Sequence, residues 1–337
     1  MLRRACAAAI LAALLAFPAP ADETRELKIA TIVPDGTTWV RFLRSADEEV
    51  RLRTDGELGL KLYPGAILGD EARTLALIAE GKIDGAALTG QAAAEILPEL
   101  RVLELPCFYR DYAEYDHVAS GLASDLAARF AGKGWILLGL SEVGFANLFS
   151  TRPVRTVEDL RATKVWRNDG DPLMGATFEG LGVVPIDHPL GSVLGRLEKG
   201  EIETVYCSPV GLLAFQWFPS LRYRLDLALY DIQAVLVLTA ASFERIPAAH
   251  REVLVGIARA QLRRMVERTR QDNEEALSVL ARRGIETVEL APEAREAFAE
   301  GARRAESLAE RLYSRELLDR VRALREEHRC SQAGGGK

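Results

Sequence analysis

The sequence predicts an α/β protein of two similar doubly wound domains, with a ligand cleft between them and a long helix spanning both. Three observations carry this reading. Short apolar runs alternate with amphipathic stretches over most of the chain, the rhythm of strand and crossover helix. The chain has 337 residues, more than a single core usually serves. Finally, Leu77–Ala86 (LIAEGKIDGA) is echoed by Leu194–Val205 (LGRLEKGEIETV). Each has a helix end, a glycine suited to the C-cap, a charged residue, an isoleucine, an acid and then a strand.

The elements follow in order. Leu27–Val33 reads as a strand, Thr37–Arg53 as an amphipathic helix and Leu58–Tyr63 as a second strand. Leu75–Glu80 belongs to a helix, Ile83–Leu88 is a third strand, Tyr115–Phe130 a helix and Trp135–Leu140 a fourth strand. The alternation implies a mostly parallel sheet with right-handed connections. A second cycle opens near Phe149. Thr156-Val157-Glu158-Asp159 has the form of a capping box that starts a short helix. Then come the strand Lys164–Arg167, a helix from Pro172 to about Gly180, the strand Val183–Ile186, a helix over Ser192–Glu198 and the strand Glu201–Cys207. Ala234–Ala241 is an apolar strand. Pro247 opens a helix that runs to Arg283, where Gly284 caps it. Ile285–Leu290 is one more strand, a final helix runs from Pro292 to about His328, and Ser331–Lys337 reads as a disordered tail.

The N-terminus has the grammar of a cleavable secretory signal: basic Arg3 and Arg4, an apolar run from Ala5 to Phe17, and a small-residue site ending at Ala21. The run is shorter than the roughly 20 residues a membrane span needs. The mature protein is therefore expected to be soluble and exported. Losing Arg3 and Arg4 takes the net charge from −6 to −8, which argues against nucleic acid as a partner. Cys107, Cys207 and Cys330 are too widely spaced for a disulfide framework or a metal pattern.

Signatures of catalysis are missing. Gly180-Leu181-Gly182 leads from helix into strand, the reverse of a dinucleotide-binding turn. Gly139-Leu140-Ser141-Glu142-Val143 lacks the second glycine of a nucleophile elbow. The four histidines (His117, His188, His250, His328) are scattered and read as solvated or structural. No enzyme activity, metal or cofactor is expected.

What remains is an ordered set of motifs. Pro64-Gly65-Ala66-Ile67-Leu68-Gly69-Asp70 is followed by Gly81-Lys82-Ile83-Asp84, then Leu105-Pro106-Cys107-Phe108-Tyr109-Arg110, then Arg152–Leu160 and the strand ending at Pro209. In this order they resemble the periplasmic solute-binding subunits of TRAP transporters, the DctP-like family, over nearly the whole mature chain. The resemblance implies a periplasmic binding protein-like fold and no catalysis. It also implies a receptor that closes two domains over a small organic solute, often an acid, and delivers it to the subunits of a membrane permease. The expected division is residues 22–148 plus 232–270 for the first domain and 149–231 plus 271–330 for the second.

The stretch Lys164–Pro172 (KVWRNDGDP) departs from the family pattern. Counting from Asp159-Leu160, the arginine that clamps a ligand carboxylate in typical members falls on Trp166, with Arg167 one place later. A shift of one residue on a strand reverses the facing, so Trp166 is read as lining the cleft and Arg167 as pointing away unless a bulge re-aims it. Trp-x-x-x-Gly-Asp-Pro here and Ser208-Pro209 later resemble a branch in which some members lack the carboxylate clamp, pair with a periplasmic tetratricopeptide-repeat protein and are suspected of binding more hydrophobic ligands. Asp171 reads as the N-cap before Pro172. Asp169 is a candidate for a ligand hydroxyl or cation, Tyr206 and Ser208 for strand-end ligand contacts, and Gln91 and Asn147 for polar contacts. For Trp39 and Trp217 core and cleft stand equal. The expected ligand has an apolar or amphipathic body and, in one variant, a carboxylate held by Arg167. The alternative function is a carrier or sensor that hands its solute to another periplasmic protein; a periplasmic enzyme on this fold would need a poised nucleophile that the sequence lacks.

Overall fold

The computed structural model describes residues 24–334, so the signal-peptide expectation lies outside the described residues. The first lobe opens with β1 (Arg25–Thr31), α1 (Thr38–Arg53), β2 (Leu58–Tyr63), α2 (Glu71–Ala79), β3 (Gly85–Thr89) and α3 (Gly90–Ala93). A 3-10 helix, Pro98–Glu104, and α4 (Tyr112–Gly132) lead to β4 (Trp135–Ser150). The second lobe holds α5 (Val157–Arg161), β5 (Trp166–Asn168), α6 (Pro172–Leu181), β6 (Ile186–His188), α7 (Val193–Glu198), β7 (Thr204–Cys207) and α8 (Pro209–Ala214). Then come β8 (Tyr223–Thr239), α9 (Ala240–Glu244), α10 (Ala248–Arg282), β9 (Glu286–Val288), α11 (Pro292–Ala309) and α12 (Arg315–Gly334).

The α/β class stands, but the sheet is more mixed than the alternation predicts. Its order is β2-β1-β3-β8-β4-β7 with β9 beside β8, and β5-β6 form a separate pair. β1 is parallel to β2 and β3, whereas β8 is antiparallel to both β3 and β4. At 17 residues, β8 extends roughly 55 Å and pairs with strands of both lobes. β4 is likewise 16 residues long rather than ending at Leu140. Gly139 and Gly144 lie within it, at register shifts of the ladder between Leu137/Gly139 and Glu142/Gly144. Gly144 has φ +91, and a Cβ there would meet the Asn273 side chain.

Among the described residues three apolar clusters form the core. One lies between the first-lobe strands and α1 and α10, through Leu43, Val50, Ile257 and Met265. A second covers the opposite face with α4, through Val118, Leu122 and Phe130. The third fills the second lobe around Phe149, Phe178, Trp217 and Phe298. α10 has 35 residues, about 52 Å of helix, and buries Leu262 in the first cluster and Leu280 in the third.

The C-terminal region differs from expectation. One helix from Pro292 to His328 was expected, but Ser314 accepts a hydrogen bond from Leu317 N at 3.3 Å and starts a separate helix. α11 packs on α6, whereas α12 packs on α4, with Leu317, Leu318 and Val321 buried in the second cluster. The last helix thus sits with the first lobe, although 271–330 was assigned to the second. Nor is Ser331–Gly334 a loose tail: α12 continues through it, with Ser331 Oγ donating to His328 O at 2.7 Å. Residues 335–337 lie outside the description. Cys107, Cys207 and Cys330 are free thiols. Among the described residues no helix is long and apolar enough to cross a membrane.

Candidate functional site

A cavity of about 740 Å³ lies between the lobes. Its walls come from strand ends, where α/β folds open their crevices. The first lobe contributes the turn after β1 and the β3–α3 junction; the second contributes the ends of β5 and β7; β8 and α10 run along the back. Local sequence sets these junctions. Thr37, Thr89, Asp171 and Ser208 cap α1, α3, α6 and α8 through their side-chain oxygens, so each strand end turns sharply into a helix at the cleft. Thr156 and Asp159 form the expected capping box on α5.

The second-lobe wall is aromatic. Trp166 stacks on Tyr206 with centroids 4.9 Å apart and meets Trp217 edge-on at 5.6 Å, and Phe215 stacks on Trp217 at 5.0 Å. All four line the cavity. Trp166 is also core, 2% exposed, with its indole N–H donating to His188 O at 2.8 Å. The choice between cleft and core was a false one: the ring's edge is anchored inside while the residue walls the cavity. Burial pushes the Tyr206 phenol up, and its oxygen accepts from Asn168 N at 3.1 Å.

Of the nine candidates, Trp39, Gln91, Trp166, Tyr206, Ser208 and Trp217 line this cavity and Asn147, Arg167 and Asp169 do not. Asn147 sits between two register shifts of β4, which turn its amide onto the β8 backbone, where it donates to Leu227 O at 2.9 Å. Arg167 faces the other side of β5 and grips Asp187, its register partner on β6, through Nε at 2.6 Å and a second guanidinium nitrogen. That contact holds the Asp187 carboxyl below its ordinary value. The Asp169 side chain is exposed; only its carbonyl contributes, accepting from Gln91 Nε2 at 3.0 Å. Gln91 Oε1 accepts in turn from Asn168 Nδ2 at 2.6 Å, which ties the lobes across the cleft.

The charged centre of the cavity was missed. Arg101, on the Pro98–Glu104 helix, donates from Nη1 and Nη2 to the two carboxylate oxygens of Asp171, at 3.2 and 3.0 Å, and from Nε to Glu104. All three side chains are buried and line the cavity. Asp171 also caps α6 by accepting from Met174 N at 3.0 Å, as expected. Burial raises the Glu104 carboxyl to about 6 against the pull of Arg101. The signal was present in Leu100-Arg101-Val102-Leu103-Glu104-Leu105: an arginine and a glutamate three apart inside an apolar run are seldom buried unless paired. Among the described residues no group of three or more His, Cys, Asp or Glu is placed to hold a metal ion.

Comparison with known proteins agrees with this geometry. The model of the DctP family, bacterial extracellular solute-binding protein family 7, matches residues 29–309. The chain belongs to this family. It is therefore a TRAP-type solute-binding receptor, in a family of binding proteins rather than enzymes. The 2,3-diketo-L-gulonate-binding periplasmic protein YiaO of Escherichia coli is 25% identical over 290 residues, covering 85% of this chain and 88% of its own. A TRAP periplasmic solute-binding protein from Ochrobactrum anthropi, with a C-terminus bound in the ligand-binding pocket, superposes with a TM-score of 0.83 at 20% identity, covering 93% of this chain and 98% of that one. The sugar acid-binding protein DctPAm of Advenella mimigardefordensis, in complex with galactonate, also gives 0.83, at 18% identity over 91% and 99% of the two chains. In this DctP-family chain Trp166, the position on which the sequence reading placed the family's arginine, is part of the aromatic wall.

Proposed function

We propose that this receptor closes its two lobes over an organic solute with an apolar body and passes it to the permease. The observation that carries the reading is the wall of Trp166, Tyr206, Phe215 and Trp217 along one side of a 740 Å³ cavity. Flat aromatic surface of this extent rewards apolar area, and a cavity of this size suits a small organic molecule. The reading includes cleavage of the leader after Ala21, work in the periplasm, and docking to a tetratricopeptide-repeat protein. The last rests on Trp166-x-x-x-Gly170-Asp171-Pro172 and Ser208-Pro209. The lobes we propose follow the boundaries given above, except that α12 belongs with the first.

The test is a titration of the mature protein, followed by tryptophan emission, with straight-chain primary amides and acids of four to eight carbons. The reading predicts that affinity rises about fourfold per methylene, the equivalent of roughly 0.8 kcal/mol, in whichever head series binds. Affinity independent of chain length, or preference for a hydrophilic sugar acid such as galactonate, would overturn it.

A further inference from the structure

We infer that the cleft selects an uncharged ligand, because Asp171 occupies the buried arginine that a ligand's carboxylate would otherwise use. This rests on the receptor reading above and adds the chemistry of the ligand's head.

The case is one of saturation. An arginine fork recognises a carboxylate by two parallel N–H···O bonds. Arg101 presents such a fork in the cavity, and the Asp171 carboxylate takes both arms at 3.2 and 3.0 Å while Glu104 takes Nε. Two buried carboxylates on one guanidinium leave no surplus positive charge. Arg41, at the mouth, donates to Gly36 O and Thr38 Oγ1, each at 2.7 Å. Arg167 is spent on Asp187 outside the cavity.

The acids are hydrogen-bonded as well, so a cationic head would have to displace donors already in place. Glu71 accepts from the Thr89 amide and hydroxyl, each at 2.7 Å. Asp272 accepts from Thr38 Oγ1 at 2.5 Å and pairs with Arg268 at 2.6 Å, and Glu275 lies 3.4 Å from the same guanidinium. At the inner end of this cavity, beside Arg101, Glu104 and Asp171, a charged head would lose its hydration with no unengaged counter-charge to replace it; Arg41, whose partners are neutral, stays at the exposed mouth. An amide, carbonyl or hydroxyl head pays a far smaller desolvation cost.

Three ligands that share one body and differ in the head test this: octanamide, octanoate and octylamine, titrated at pH 7 into the mature wild-type protein and into Asp171→Asn. Asparagine still caps a helix but gives up the carboxylate that takes both Nη arms of Arg101. Asp171→Ser, another good cap, serves as the second variant should the first fold poorly. The expected result is octanamide binding at least tenfold tighter than either charged ligand in the wild type. In the variant the octanoate-to-octanamide affinity ratio should rise at least tenfold. Octanoate or octylamine binding tightest in the wild type, or an unchanged ratio in both variants, would overturn the inference and leave the apolar-body reading intact. Failure of all three to bind would overturn both.

Discussion

Asp171 holds Arg101 through both carboxylate oxygens, at 3.2 and 3.0 Å, while its Oδ1 also accepts the Met174 amide that starts α6. One side chain therefore serves as helix cap, as bridge between a first-lobe 3-10 helix and a second-lobe helix, and as the internal partner of the buried arginine in the cleft.

Breaking that pair from the arginine side leaves two carboxylates buried without compensation. Arg101→Met should cost about 3–5 kcal/mol of folding stability, read by urea denaturation at pH 7.5. A loss below about 1 kcal/mol would mean that the site is wetter than its 4% exposure indicates.

Glu104 makes stability depend on pH. Its carboxyl is raised from 4.5 to about 6 in the folded protein, mainly by burial. Between those values the folded form keeps a proton that the unfolded form has released. The resulting stabilisation is fully present below about pH 4.5 and is lost as the pH rises through about 6. Glu104→Gln removes this dependence. The stability of wild type relative to Glu104→Gln should fall by about 2 kcal/mol between pH 4.5 and 7.5, in paired urea titrations. A flat difference would place the Glu104 carboxyl in its ordinary range.

At the junction of α6 and α11 the backbones themselves touch. A Cβ on Gly180 would lie 2.5 Å from Gly301 O and 2.6 Å from Ala305 N. Backbone cannot yield as a side chain can, so Gly180→Ala should lose about 1–3 kcal/mol despite alanine's better helix propensity. Thermal denaturation of the variant measures this, and a stabilised protein would contradict the packing.

Neighbours on β5 should separate cleanly. Arg167 makes a partly exposed ion pair, so Arg167→Ala should change stability by no more than about 1 kcal/mol and leave solute affinity unchanged. Trp166→Ala empties a site between Tyr206 and Trp217. It should lose about 3–5 kcal/mol of stability and weaken solute binding more. A reversed ranking in binding titrations would mean that Arg167 turns into the cleft when ligand is present.

Local chemistry made much of this legible in the sequence. The alternation of elements, the Thr156 box, the Asp171 cap and the facing of Trp166 against Arg167 each depend on a few adjacent residues, and the structure agrees. What escaped depends on distant parts of the chain. β4 passes through Gly139 and Gly144 because β8 beside it absorbs the bulges. α12 leaves α11 and returns to the first lobe because Tyr313 and Leu317 find a place in its core. The Arg101–Asp171 bond joins residues 70 positions apart, so an arginine inside an apolar run announced a buried pair without naming its partner.

The most direct measurement is native mass spectrometry of the protein purified from the periplasm, with extraction and identification of whatever co-purifies. The structure predicts a bound molecule with an apolar body and an uncharged head. A small hydrophilic carboxylate would contradict it: the Arg101–Asp171 pair would then have to open for the ligand, and the aromatic wall would not be what selects it.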